Sequence, residues 1–237
     1  RLTIANPAAG ERYEFERVNA FELSENGALV TFITEPDDTS GFQTVHYFQT
    51  ASQTHDSLPA TEADMKKFTL DKQGEQVAYI ASEDTTDTKV YSLYYWQPGK
   101  EAPRSIVDTL TSTLPEYWTV SEHGNIYFSK DQSKLYFGAA LRPEPEPEDT
   151  LLEEEKVHLD IWHWKDKRLM PQQLAELKDD KKKNYTCVYR TVDDKVVQLE
   201  DEDIPYVRTG RLGNLDVGLG EHDKSYKERI SYEYPEY

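Results

Sequence analysis

The chain has 237 residues, of which 37% are hydrophobic and 12% aromatic, so it carries enough bulky apolar surface to bury a core, which excludes wholesale disorder. Its formal net charge is −18, with 45 acidic residues against 27 basic ones. This charge repels phosphate backbones and anionic lipid, and no segment approaches the ~20 apolar residues of a membrane span. We therefore expect neither a nucleic-acid partner nor membrane insertion.

Short alternating segments rich in Tyr, Phe, Val and Thr, separated by polar turn clusters, predict an all-β chain of antiparallel strands. In chain order we predict the end of one sheet at 1–18, four-stranded units at 19–60, 61–112 and 113–204, and the start of a further unit at 205–237. The third unit is longest because it contains two insertions, at 142–155 and 171–183. In the second insertion, Pro171 followed by strong helix formers predicts a short helix.

A hairpin recurs in the three complete units. The segment FELSENG at 21–27 resembles FTLDKQG at 68–74, and FSKDQSKLYF at 128–137 resembles both more loosely. Gly27 and Gly74 suit the turn because glycine reaches positive φ without a Cβ clash. The spacing from Phe21 to Phe68 matches the ~40–50 residues of a four-stranded propeller repeat.

An aromatic strand and then a closing strand are predicted after each hairpin. The aromatic strands are predicted at 45–48, 90–96 and 159–164, and the closing strands at 53–58, 104–108 and 196–199, with 185–191 before the last. Sheets with two apolar faces become stable by stacking on neighbours. The pattern therefore predicts a partial β-propeller with about three complete blades and partial blades at both ends, arranged as an open arc or in a rearranged packing.

No group of residues in the sequence specifies a catalytic, cofactor or metal site. The acidic stretch at 144–155 alternates proline with carboxylates, which favours an extended solvated loop over a Ca²⁺ site. His158 and His163 are an odd number of residues apart, so in a strand they point to opposite faces and share no metal. The other histidines show no recognisable ligand spacing: His46, His55, His123 and His222.

Two further features are interpreted as core packing. Trp162 and Trp164 share one strand face, as do Tyr91 and Tyr95, and blades need bulky apolar residues where they pack together. Cys187 is the single cysteine, so no internal disulfide is available. We predict an inert, buried strand thiol at that position.

Four segments together resemble the N-terminal β-propeller of prolyl oligopeptidase-family serine peptidases, in particular the dipeptidyl-peptidase-like members with WD40-like blades. They are FELSENG (21–27), FTLDKQG (68–74), LDIWHWKDKRL (159–169) and VVQLED (196–201). Members of this family pair the propeller with a C-terminal α/β-hydrolase domain whose nucleophilic serine lies in a G-x-S-x-G elbow. No G-x-S-x-G occurs in this sequence. The resemblance therefore implies a non-catalytic propeller portion, with no catalytic residue, cofactor or metal to assign.

The resemblance also implies partners and a compartment. The partners are an α/β-hydrolase domain of the same polypeptide and the peptide substrate of the parent, whose access the propeller is expected to gate or shape. It favours a periplasmic or secreted protein, whereas the residues themselves leave the compartment open. A non-enzymatic protein-binding propeller stays open as the alternative, as does a carbohydrate-handling propeller enzyme, which needs convergent carboxylates that the sequence does not locate.

Overall fold

The computed structural model describes residues 1–7, 10–36, 43–58, 64–86, 88–108, 114–145, 161, 163, 165–166 and 168–223. The chain begins with an antiparallel hairpin, β1 (Leu2–Ala5) and β2 (Arg12–Phe15). The first blade follows as a four-stranded antiparallel sheet in chain order: β3 (Val18–Leu23), β4 (Leu29–Thr34), β5 (Thr44–Gln49) and β6 (Thr54–Ser57).

The second blade repeats this arrangement. Its four antiparallel strands are β7 (Asp64–Leu70), β8 (Val77–Ser82), β9 (Ser92–Trp96) and β10 (Arg104–Val107). The bounds of both sheets lie within the ranges 19–60 and 61–112 except at Val18, which is already part of β3. The prediction of an all-β chain built from four-stranded antiparallel blades is confirmed.

The third blade has a first strand in two pieces. β11 (Trp118–Val120) pairs with the end of β13 (Lys134–Leu141), and β12 (Tyr127–Phe128) pairs with its beginning. The intervening residues 121–126 leave the ladder, so one blade edge is interrupted. The sheet is completed by β14 (Tyr185–Arg190) and β15 (Lys195–Gln198).

The predicted aromatic strand of the third unit is wrong, because another segment takes its position in the sheet. The segment at 159–164 was expected to follow the third hairpin, but the strand that pairs with β13 is β14. Ile161 and His163 lie outside any strand, and the rest of 159–164 lies outside the described residues. Aromatic alternation is a local signal, so it does not determine which of two candidate segments forms the ladder with β13.

The insertion before β14 contains the one helix of the described residues, α1 (Met170–Asp180), with Pro171 in its first turn as predicted. No residue of α1 is buried. After β15 the chain forms a hairpin of β16 (Tyr206–Arg208) and β17 (Leu219–Glu221). The remainder of the predicted final unit, 224–237, and residues 146–155 of the acidic insertion lie outside the described residues.

The blades stack face to face, as β8 shows most clearly because all of its residues are buried. Val77 and Tyr79 belong to the cluster that contains Leu29 of the first blade. Ile80, the next residue of β8 after Tyr79, belongs to the cluster that contains Leu135 of the third blade. Successive strand residues point to opposite faces. The middle blade therefore has a neighbour on each face, and full burial of each large apolar side chain contributes ~1.5–3 kcal/mol.

The hairpin turns of neighbouring blades also contact one another. The Asn26 side chain donates to the carbonyl of Gln73 at 2.8 Å, which links the first turn to the second. The Gln76 side chain donates to the carbonyl of Gln132 at 3.2 Å, which links the second to the third. Lys130 N donates to Leu212 O at 2.9 Å, which continues the row into the segment before β17. The repeat in the sequence thus corresponds to one row of stacked turns.

Gly27 and Gly74 provide a matched test of this row, because both have positive φ, 69° and 73°. A Cβ on Gly27 meets nothing within 4 Å, whereas a Cβ on Gly74 would lie 2.7 Å from the Leu29 Cβ. We expect Gly27→Ala to cost about 1–2 kcal/mol for the left-handed backbone, and Gly74→Ala to cost about 1–3 kcal/mol more for the clash. Urea unfolding of both variants measures the difference, and equal losses would contradict close stacking of the two turns.

Candidate functional site

The first strands of the three blades lie side by side, since β3 contacts β7 and β7 contacts β12. Between them is a cleft of about 290 Å³, which we call the inner cleft. Its walls come from three successive blades and include Asn19, Ala20, Lys66, Lys67, Asn125 and Ile126. The stacking of blades is therefore what brings these side chains, distant in sequence, to one surface.

Lys67 joins the second blade to the interruption in the third. Its Nζ donates to the carbonyl oxygens of His123, at 3.2 Å, and Gly124, at 2.8 Å. Residues 121–126 separate β11 from β12 and do not pair with β13. The last backbone hydrogen bond before this gap runs from Ser121 N to Gly138 O, at 2.9 Å. The departure of 121–126 from the sheet thus supplies the carbonyls that position the Lys67 ammonium at the inner cleft.

An ionic cluster lies at the start of β7. Asp64 Oδ2 is 2.7 Å from Lys89 Nζ and 3.4 Å from Lys66 Nζ, and Lys66 Nζ is also 3.8 Å from Glu122. Burial opposes ionisation of Asp64, but the Lys89 hydrogen bond and the Lys66 charge outweigh it, so the pKa of Asp64 is lowered. Tyr91, whose hydroxyl is 3.5 Å from Asp64, has a raised pKa through burial and the nearby charges of Glu122 and Asp64.

Glu22 connects the first strands of blades one and two. Its Oε2 accepts a hydrogen bond from Leu70 N at 2.8 Å. Burial raises the pKa of Glu22, although the hydrogen bond from Leu70 opposes the shift. The carboxylate therefore fixes the spacing of β3 and β7 beside the inner cleft.

The chemistry that the inner cleft offers is hydrogen bonding. Asn19, Gln43 and Asn125 line it with amide groups, each of which both donates and accepts. The Lys66 and Lys67 ammonium groups are already paired with carboxylates or carbonyls. Within the described part of the chain, no three or more His, Cys, Asp and Glu residues converge to hold a metal ion. Gln43 already accepts a hydrogen bond from Met65 N at 3.0 Å through its Oε1.

The structure brings together two histidines that showed no ligand spacing in the sequence. His46 Nδ1 of β5 and His55 Nε2 of β6 are 3.1 Å apart, and His46 Nε2 is 3.1 Å from the Thr34 hydroxyl. The His46 ring stacks on Phe32 at 5.1 Å between centroids, and Phe15 of the N-terminal hairpin packs on His55 at 4.8 Å. Only the register, which pairs Phe48 with His55, reveals this diagonal contact.

The histidine pair makes the stability of the first blade depend on pH. Burial lowers the pKa of His46 from its usual 6.5, and the charge of His55 lowers it further. Burial also lowers the pKa of His55 from 6.5, although the charge of Asp56 opposes this shift. The unfolded chain therefore binds protons that the folded chain does not. We expect full stability above about pH 6.5 and a progressive loss as the pH falls from there to the lowered folded pKa values.

Urea unfolding of the wild type and of the double variant His46→Gln, His55→Gln, from pH 7.5 to pH 5, measures this effect. The variant should lose part of the slope of unfolding free energy against pH. An unchanged slope would show that the pair does not carry the pH dependence.

The other sequence candidates lie as follows. Cys187 is fully buried in β14, which confirms the predicted buried strand thiol, and burial followed by the charge of Glu200 raises its pKa to about 12. Tyr91 and Tyr95 belong to the core between blades two and three, which confirms their packing role. His163 and Asp166 form a local turn, with His163 N donating to Asp166 Oδ2 at 3.2 Å. His158, Trp162 and Trp164 lie outside the described residues.

No helix of the described residues has the length and apolar character of a membrane span. No family model matches the chain, and no curated protein is significantly similar to it in sequence.

Solved structures similar to this chain include the β-propeller domain of a protease, a peptidase and a lyase. The β-propeller domain of the Trilobed protease from Pyrococcus furiosus has a TM-score of 0.45 at 8% identity, covering 85% of this chain and 49% of that one. Pyrococcus horikoshii acylaminoacyl peptidase has a TM-score of 0.43 at 8% identity, covering 85% and 28%. Oligogalacturonate lyase from Vibrio parahaemolyticus has a TM-score of 0.45 at 10% identity, covering 83% and 45%.

The chain spans half or less of the length of each of these proteins. Two of the three are peptidases by name and the third is a lyase, so the similarity concerns the fold and selects no activity.

Proposed function

We propose that the chain is the non-catalytic propeller portion of a serine peptidase of the prolyl oligopeptidase family, where it shapes the access of peptides to an α/β-hydrolase domain. The observation that carries the proposal is the inner cleft, in which three blades bring side-chain amide groups to one space. A peptide has a donor and an acceptor at nearly every residue. The side-chain amides of Asn19 and Asn125 complement both.

The sequence has no G-x-S-x-G elbow. In the proposed peptidase the nucleophilic serine would therefore lie in the α/β-hydrolase domain, and the propeller would act only on substrate access. The net charge of −18 adds a long-range preference for cationic over acidic peptides. To control which peptides reach the active site, a propeller needs only an opening of limited size and weak contacts with the peptide backbone that do not depend on sequence.

Titration of the ¹⁵N-labelled chain with an oligopeptide of four to six residues tests the proposal. We expect chemical-shift changes at Asn19, Lys66 and Asn125 that weaken in Asn125→Ala. The control Asn214→Ala, whose side chain contacts Asp131 N and does not line the inner cleft, should behave as wild type. The pure chain should hydrolyse no peptide p-nitroanilide. Turnover by the pure chain, or shift changes confined to residues outside the inner cleft, would overturn the proposal.

A protein-binding propeller is the second candidate, and α1 is the observation that favours it. Leu174 and Leu177 of this helix are 57% and 47% exposed, and the helix buries none of its residues. An exposed apolar helix face is a frequent docking element for protein partners. Peptide-induced shifts on α1 in place of the inner cleft would favour this candidate.

A further inference from the structure

The first strands of the first two blades are each distorted at one position. Asn19 is an extra residue of β3 that has no partner on β4, because the register shifts on either side of it. Lys66 is the extra residue of β7 opposite β8. Each strand therefore contains a β-bulge, a feature that redirects side chains and is frequent next to binding and active sites.

Both bulges and the interruption of the third blade lie at one level of the stack. Each hairpin turn is closed by one backbone N–H, which belongs to Ser24, Asp71 or Ser129. The two bulges lie at the same distance before this residue in their own blades. The corresponding position of the third blade is Gly124, inside the interrupted segment 121–126. Three first strands thus leave regular pairing at the level of the inner cleft, which is lined by Asn19, Lys66 and Asn125.

The lining of the inner cleft differs in charge from the rest of the chain. It contains Lys66 and Lys67, and none of its described residues is an aspartate or a glutamate. The whole chain has 45 acidic residues against 27 basic ones. A local excess of positive charge favours an anionic group inside the cleft, whereas the net charge acts on the approach of a ligand from a distance.

The Lys67 ammonium keeps both its charge and one donor for a ligand. Its two acceptors are the backbone carbonyl oxygens of His123 and Gly124, which hold it in place without neutralising its charge. An ammonium group has three N–H donors, so one remains after these two bonds to the described residues. A carboxylate that accepts it forms a charge-assisted hydrogen bond, which is roughly twice as strong as a bond between neutral groups.

The Lys66 ammonium is held only loosely by carboxylates. Its Nζ is 3.4 Å from Asp64 Oδ2 and 3.8 Å from Glu122 Oε2, both beyond the ~2.7–3.2 Å of an N–H···O hydrogen bond. The same Asp64 oxygen is 2.7 Å from Lys89 Nζ, so it keeps a close cationic partner when Lys66 moves away. The Lys66 side chain can therefore turn towards a second anion at small cost, since such solvent-exposed ion pairs stabilise little.

We propose that the inner cleft binds a carboxylate group of the peptide. Lys67 donates to this carboxylate from a fixed position, and Lys66 moves onto it when the peptide binds. The amides of Asn19 and Asn125 bind the neighbouring peptide groups. The inference rests on the proposed function, because it names the chemical group by which the same cleft recognises a peptide. The carboxylate can belong to the C-terminus or to an acidic side chain, and the chemistry of recognition is the same for both.

Titration of the ¹⁵N-labelled chain with three N-acetylated tetrapeptides tests the proposal. The peptides are tetra-alanine with a free C-terminal carboxylate, the same peptide amidated, and the amidated peptide with one alanine replaced by glutamate. We expect the free acid to bind at least about tenfold more tightly than the plain amide, as for the loss of one hydrogen bond to a charged group. Added salt should reduce this ratio.

The glutamate peptide distinguishes the two sources of the carboxylate. An affinity that matches the free acid would support recognition of acidic side chains as well as of the C-terminus. An affinity that matches the plain amide would support recognition of the C-terminal carboxylate alone.

Two lysine variants assign the preference to the inner cleft. Lys67→Met and Lys66→Met each remove one ammonium group, so both should bring the affinities for free acid and amide closer together. The control Lys72→Met removes an ammonium that is paired with Glu25 and does not line the cleft, and it should keep the wild-type ratio. Circular dichroism and the urea midpoint show whether the variants fold. Lys66→Met tests the proposal by itself if Lys67→Met, which leaves two carbonyls unpaired, does not fold.

The outcomes separate this inference from the proposed function. Equal affinities for free acid and amide, with shift changes at the inner cleft for both, would overturn the inference and leave the proposed function standing. A preference for the free acid that is unchanged in both lysine variants would do the same. If no peptide shifts the residues of the inner cleft, the proposed function is wrong and the inference is lost with it.

Discussion

Replacing Leu135 by alanine is expected to lower the free energy of unfolding by about 2–5 kcal/mol. Leu135 is fully buried in β13, in the cluster that joins the second and third blades. Truncation removes its transfer free energy from water and leaves a cavity between two rigid sheets, which cannot collapse without separating other contacts. The cost therefore measures the packing between blades.

Leu141 provides the control, because it lies on the same strand and is 59% exposed. We expect Leu141→Ala to cost less than about 1 kcal/mol, in the range of ordinary surface substitutions. Urea unfolding of the two variants measures the contrast. Similar losses for both would contradict the burial of this strand between neighbouring blades.

Replacing Gly138 by alanine is expected to lower the free energy of unfolding by about 1–3 kcal/mol or more, as overpacking does. A Cβ at Gly138 would lie 2.5 Å from the Gly124 Cα and 2.5 Å from the Asn184 Oδ1. Backbone atoms cannot move aside as the end of a flexible side chain can. The variant must therefore push the interrupted segment 121–126 away from β13, together with the carbonyls that bind Lys67.

Gly218→Ala is the control for Gly138→Ala. Its Cβ would meet the Val207 Cγ1 at 2.7 Å, a side-chain methyl at the edge of an exposed hairpin, with the nearest backbone atom 3.5 Å away. We expect a loss of less than about 1 kcal/mol, as for other surface substitutions. In Gly138→Ala, the ¹⁵N shift of Gly124 should also change. A Gly138→Ala variant as stable as wild type would contradict the close approach of the two backbones.

Local signals predicted the turns and most strands, because the chemistry that specifies them is local. Positive φ at Gly27 and Gly74 follows from glycine itself. The third hairpin resembles the others only loosely in sequence, yet Gln132 occupies the equivalent turn position with a φ of 64°. The stacked row of turns thus tolerates a non-glycine residue, and the tertiary contacts of Gln132 with Gln76 accompany it.

Features that depend on register or on contacts between blades could not be predicted. The choice of 185–190 over 159–164 as the partner of β13 is a question of long-range pairing. The His46–His55 contact requires the register of β5 and β6. The inner cleft requires that three first strands, separated by complete blades in the sequence, come side by side. A single sequence carries no local pattern for any of these.

The central claim is that three blades stack face to face in chain order, and nuclear Overhauser effects between aromatic rings test it most directly. The Tyr47 ring of the first blade is 4.8 Å from the Trp96 ring of the second, and the Tyr95 ring of the second is 5.7 Å from the Tyr189 ring of the third. We predict cross-peaks for both pairs in the folded chain. Loss of both cross-peaks, or a cross-peak between Tyr47 and Tyr189 that places the first blade directly against the third, would contradict the stack.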